Sequence, residues 1–180
     1  MTPVMRHRLI GCAIALSVFV LDQLLKYWVV DVIDLRNRPD GVYELIPFFD
    51  LRWTQNFGVS LGMFEATSTE MRWILVAVTG LIALVVTIWM LREKALGDIL
   101  GLALILGGAL GNIRDRYNLG YVIDYADLHF GDFRPFLIFN IADAAITIGV
   151  VIILARAFFM RDKDVDTMMN GKVATATEKD

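Results

Sequence analysis

A chain of 180 residues that is 57% hydrophobic and only 21% charged, with a mean hydropathy of +0.57, is too apolar for a soluble domain of its size and reads as an integral membrane protein. A formal net charge of −3, with Lys and Arg scattered along the chain, leaves no basic footprint and excludes nucleic acid as a partner. The one cysteine, Cys12, excludes an intrachain disulfide.

Arg6-His7-Arg8 precede the first candidate span, 9–30, an apolar run broken mainly by Asp22, Gln23 and Lys26. The loop 31–69 carries the turn signal Pro39-Asp40-Gly41. Short apolar and aromatic stretches over 42–54 follow it, and their partial alternation predicts a small sheet on the membrane surface. The mixture of glycines and large apolar groups over 56–64 is expected to dip into the interface. A second span covers 71–91 and stops at Arg92-Glu93-Lys94. The third, 99–116, is apolar only as far as Ile113, about 22 Å of helix, so its far end must be buried in protein or finish short of the opposite surface. A fourth span is expected over 136–160, and 161–180 is a polar tail expected to be disordered and cytoplasmic. Lys and Arg are denser in the short segments on the amino-terminal side, which places both termini in the cytoplasm. The expected fold class is an all-α integral membrane protein with four transmembrane helices and a small β-rich extracytoplasmic domain between helices 1 and 2. Residues 1–160 form a single membrane-embedded domain.

Polar residues in three spans fall at one depth. Asp22 lies about 20 Å into the first span, Asn112 about 21 Å into the third, which runs the same way, and Asp143 about 10 Å into the fourth, which enters from outside. Asp22 and Lys26 are spaced i,i+4, Asn140 and Asp143 i,i+3, and Asn112 lies three and four residues before Asp115 and Arg116, so each set shares a helix face. Gly107, Gly108, Ala109 and Gly111 supply a surface on which membrane helices pack backbone to backbone. Asp22–Lys26 or Asn112 alone could simply hold a bundle together, and Asp124 alone could be a solvated loop residue. A carboxylate within a lipid-embedded run is costly, however, which makes Asp143 a functional candidate.

Other catalytic constellations fail on placement. His7 and His129 lie on opposite sides of the membrane, no convincing zinc ligand set exists, and Ser60 and Ser68 have no histidine to activate them. Asp124 and Asp143 remain. Two aspartates converging at low dielectric cannot both ionise easily, so one keeps a proton while the other acts as base, as in aspartic proteases. No metal or cofactor is expected. The alternative is a proton-coupled small membrane transporter or ion pathway using Asp22, Lys26 and Asp143 as a relay.

Asp22-Gln23 with Lys26, Asn56-Phe57-Gly58, Gly108-Ala109-Leu110-Gly111-Asn112 with Asp115-Arg116, Val122-Ile123-Asp124-Tyr125 and Phe139-Asn140-Ile141-Ala142-Asp143 resemble, in order, the motifs of the lipoprotein signal peptidase family, also called signal peptidase II. The resemblance implies an intramembrane aspartic endopeptidase of bacterial inner membranes. Its expected substrates are lipid-modified prolipoproteins, cut immediately before the diacylglyceryl-modified cysteine at a site toward the periplasm. It further implies that Asp124 and Asp143 are the catalytic dyad, that Asn56, Asn112, Arg116 and Asn140 shape or line the site, that Asp22 and Lys26 support it, and that the partners are these substrates and membrane lipids.

Overall fold

In hydrocarbon a backbone satisfies its own polar groups only as a helix or a closed barrel, and the apolar runs of this chain are helices. The structure, a computed structural model, describes residues 1–58 and 69–177, with side chains as far as Phe159. The expectation for 56–64 falls mostly outside the described residues, as do Ser60 and Ser68.

Helix α1 spans Pro3–Tyr27, with Thr2 as its cap accepting from the Met5 amide at 3.3 Å and Pro3 at its first position. It continues through a π-helical turn, Trp28–Val32. Helices α2 (Thr69–Arg92), α3 (Leu96–Leu119) and α4 (Ile141–Thr177) complete the helical set. Four helical stretches among the described residues are long and apolar enough to cross a membrane: Pro3–Val32, Thr69–Arg92, Leu96–Leu119 and Ile141–Phe159. The α4 backbone stays helical through Thr177, where a disordered tail was expected from 161.

Helix α3 is the hub. It packs on α1, α2 and α4, and 50% of its spanning window is buried, against 17–22% in the other three. Small residues make this possible. A methyl group added at Gly108 would fall on the Ala142 carbonyl oxygen of α4, and one at Gly111 on Asp22 Oδ2 of α1. Below this level the interior is apolar, built from Ala15, Ala83, Val86, Met90, Ile99, Leu102, Ala103 and Leu106.

The sheet differs from expectation. Strands β1 (Val42–Ile46) and β2 (Phe49–Asn56) form the hairpin anticipated between α1 and α2. A third strand, β3 (Val122–Leu128), arrives from between α3 and α4 and pairs antiparallel with β2, so the sheet is not confined to the first loop. Gly120, at φ 88°, closes α3 in the left-handed conformation and its amide bonds the Arg116 carbonyl, which turns the chain directly into β3. Asp124 therefore sits on strand β3 at the edge of the sheet, opposite Thr54 and 1% exposed, and is not a loop residue. Because side chains alternate along a strand, Ile123 and Tyr125 point into a second apolar cluster with Val29, Leu35 and Leu51, while Asp124 points the other way.

The fourth span also starts later than expected, at Ile141 and not at 136. The backbone just before it is committed to the sheet: Phe139 and Ala126 form an antiparallel bridge, with the Phe139 amide bonding the Ala126 carbonyl and the Phe139 carbonyl accepting from Tyr125 and Ala126. Asp143 is thus in the first turn of α4, not two turns down a helix begun at 136.

Candidate active site

Two short segments converge through one residue. Asn140 is the N-cap of α4: its Oδ1 accepts from the Asp143 amide at 2.9 Å, while its own amide reaches Asp143 Oδ2 at 3.3 Å, a reciprocal capping box. The Asn140 Nδ2 donates to Asp124 Oδ1 at 2.7 Å, to the Ile123 carbonyl at 3.2 Å and to Asn112 Oδ1 at 3.2 Å. One fully buried residue thus touches both candidate catalytic carboxylates, Asp124 through its side-chain amide and Asp143 through its main-chain amide.

Each carboxylate has a second amide partner. Asn56 Nδ2 donates to Asp124 Oδ2 at 2.9 Å, and Asn56 is held in turn by the Gly58 amide, which donates to its Oδ1 at 2.8 Å. Asn112 Nδ2 donates to Asp143 Oδ1 at 2.7 Å. Burial first, and the negative charge of Asp143 second, push the Asp124 carboxyl up to about 6, against the two amide donors and the more distant Lys26. Asp143 lies at the positive end of the α4 dipole and within the capping box.

Behind the pair is a charge-compensated cluster. Lys26, 2% exposed, lies between Asp22 Oδ2 at 2.8 Å and Asp115 Oδ2 at 2.7 Å, and it donates to Asn112 Oδ1 at 3.3 Å. The same acids hold the dyad's own chain: Asp22 Oδ1 accepts from the Ala142 amide at 3.2 Å, and Asp115 Oδ2, which also faces Lys26, accepts from the Ile123 amide at 3.3 Å. Both of those amides belong to the residues immediately before Asp143 and Asp124. Gln23 adds bonds to Asp22, Asp115 and the Gly111 carbonyl.

The structure thus brings together Asp124, Asp143, Asn56, Asn112, Asn140, Asp22 and Lys26. Arg116 is different. Its half-buried guanidinium is within electrostatic reach of Asp143 and Asp124, yet its Nε has no hydrogen-bond partner and it makes no ion pair among the described residues. The end of α3 is tied instead by Arg72 of α2, whose Nε donates to the Arg116 carbonyl at 2.8 Å and whose Nη2 bonds the Tyr117 carbonyl. Sequence reasoning missed Arg72, and it left Asp115 out of the site although its spacing from Asn112 was the available signal. Among the described residues, no group of three or more His, Cys, Asp or Glu side chains is placed to hold a metal ion.

The family model described as signal peptidase (SPase) II matches residues 14–159. A lipoprotein signal peptidase of Sphingopyxis alaskensis is 55% identical over 162 residues, covering 90% of this chain and 91% of the relative. One from Rhizorhabdus wittichii is 52% identical over 159 residues, covering 88% and 91%. A bacterial membrane enzyme solved by the in meso method at 2.3 Å superposes with a TM-score of 0.69 at 27% identity, over 85% of this chain and 88% of that one.

Proposed function

The chain belongs to the signal peptidase II family, and we propose that it removes signal peptides from prolipoproteins as an aspartic endopeptidase with Asp124 and Asp143 as its dyad. The observation that carries the aspartic assignment is the bridging of both carboxylates by Asn140, with no Lys or Arg side chain bonded to either among the described residues. Asp143 serves as base: it takes a proton from water as the water oxygen bonds to the scissile carbonyl carbon. Asp124 serves as acid and gives its proton to the carbonyl oxygen. Collapse of the tetrahedral intermediate then breaks the C–N bond, with a proton delivered to the departing amine. A carboxyl near 6 retains a useful share of its proton close to neutrality.

The scissile bond is the one immediately before the diacylglyceryl-modified cysteine, and the substrate reaches the dyad sideways from the bilayer. The protein sits in the bacterial inner membrane with both termini cytoplasmic and the sheet and dyad toward the periplasm, a reading supported by the even number of spans among the described residues and by the denser Lys and Arg in the segments on the side of the termini. A proton-coupled pathway would need polar groups continuing to the inner face, and the core there is apolar. The test is incubation of purified protein with a lipidated precursor peptide and its unlipidated counterpart, followed by gel shift and mass of the products. Cleavage before the lipidated cysteine supports the assignment, and intact lipidated precursor overturns it.

A further inference from the structure

We infer that the cleft between α1 and the end of α3, roofed by the sheet, is a binding site for a glycerophospholipid, with the phosphodiester between Arg36 and Arg114. The cleft has a volume of about 660 Å³, within the range of ligand sites. It lies on the α1 side of α3, whereas Arg116 and Asn112 on that helix serve the dyad.

Its wall changes character along the membrane normal as a phospholipid does. Phe19, Val20 and Leu24 line its deep end, and about 18 Å further along the helix the rim is reached at Asp31. Arg114, Asn118 and Arg36 line the cleft with Trp53 and Tyr121, the aromatic types favoured at headgroup level. The charge balance favours a phosphate. Lys26 at the back is taken up by Asp22 and Asp115, so at the mouth two arginines stand against the single exposed carboxylate of Asp31. Arg114 faces across the cleft, with Nη1 on Gln23 Oε1. Arg36 is exposed and makes no hydrogen bond or ion pair among the described residues. A guanidinium pair with open donors is suited to phosphate oxygens, and the apolar stripe on α1 accommodates the acyl chains.

The test needs no proteolysis and does not depend on the proposed mechanism. Full-length protein in detergent is titrated, by native mass spectrometry, with phosphatidylglycerol, phosphatidylethanolamine and inorganic phosphate separately. Both lipids should bind saturably at one per chain, and inorganic phosphate should bind at least about tenfold more weakly because it lacks the apolar contact. Arg36→Gln, which disturbs no bond of the fold, should weaken lipid binding by roughly fivefold to tenfold, and Arg36→Gln with Arg114→Gln by more. Arg38→Gln, a surface change outside the cleft lining, should have no effect. Unsaturable lipid uptake, unchanged binding in the double variant, an equal loss in Arg38→Gln, or phosphate binding as tightly as lipid would each overturn the site.

Discussion

Two groups of carboxylates, all buried except the half-buried Asp143, share one end of the bundle, and they differ in whether a cation is bound between them. Asp22 and Asp115 enclose Lys26 at 2.8 and 2.7 Å, each with a further bond to a main-chain amide. Among the described residues, Asp124 and Asp143 receive only neutral amide donors. A buried acid compensated by a cation is a fixed structural charge, while one without a cation remains free to exchange a proton. The arrangement of one group explains the other, because the compensated cluster grips the residues just before both members of the uncompensated pair. A merely structural bundle would have no reason to leave its second pair of acids without a bonded cation, as this pair is among the described residues, with Arg116 only within electrostatic reach.

The largest effect should come from removing the uncompensated pair. Asp124→Asn and Asp143→Asn should each reduce cleavage of a lipidated precursor by at least about a thousandfold, and the double variant should be scarcely worse, since groups acting as one unit are non-additive. Substantial cleavage by either variant, with membrane insertion verified, would return Asp143 to a structural role.

Disturbing the compensated cluster should act on stability first. Lys26→Met leaves Asp22 and Asp115 facing each other at 0% and 4% exposure, and should cost about 3–5 kcal/mol. Asp22→Asn with Lys26 retained should lower stability or rate without ending turnover. Melting in detergent alongside initial rates separates the two effects, and a Lys26→Met protein with an unchanged melting temperature would contradict the role assigned to the cluster.

Much of this was legible in the sequence, for a reason specific to membranes: water is absent, so polar residues inside apolar runs must find one another. Counting helical rise places Asp22, Asn112 and Asp143 at one level; Asn112 does bond Asp143, although the count for Asp143 runs along a helix from 136 that begins only at Ile141. What could not be read was where regular structure changes type. Val122-Ile123-Asp124-Tyr125 is too short for a clear periodic signal, and its pairing with β2 is a contact across the whole of α2 and α3. The same bridge that fixes Phe139 to Ala126 also delays α4 to Ile141, so the capping box around Asp143 depended on the strand that was not foreseen.

The titration of Asp124 gives the next effect. Its folded value of about 6 lies above the ordinary 3.8, so the folded state holds this proton more tightly than the unfolded chain does. The resulting stability is fully present below about 3.8 and is lost as pH rises through about 6, an effect of up to about 3 kcal/mol. Asp124→Asn cannot titrate. The stability difference between wild type and this variant should therefore shift against the wild type between pH 4 and 7, whatever the absolute cost of placing an amide against Asn56 and Asn140. A constant difference across that window would mean that Asp124 is ionised throughout.

The smallest effect distinguishes charge from shape at Arg116. Its Nε is buried without a hydrogen-bond partner, yet its charge reaches both Asp143 and Asp124. Arg116→Lys keeps a cation near the dyad but loses the planar fork that bonds oxyanions in pairs. If the fork binds substrate, Arg116→Lys should lower kcat/KM by roughly tenfold, on the scale of one lost charge-assisted bond, and Arg116→Met should lower it further. If only the charge matters, by holding the dyad's second proton off, Arg116→Lys should cleave at nearly the wild-type rate, while Arg116→Met should move the pH profile of kcat/KM upward. Wild-type rates in both variants would leave Arg72, which ties down the carbonyls of Arg116 and Tyr117, as the one arginine needed at this end of α3.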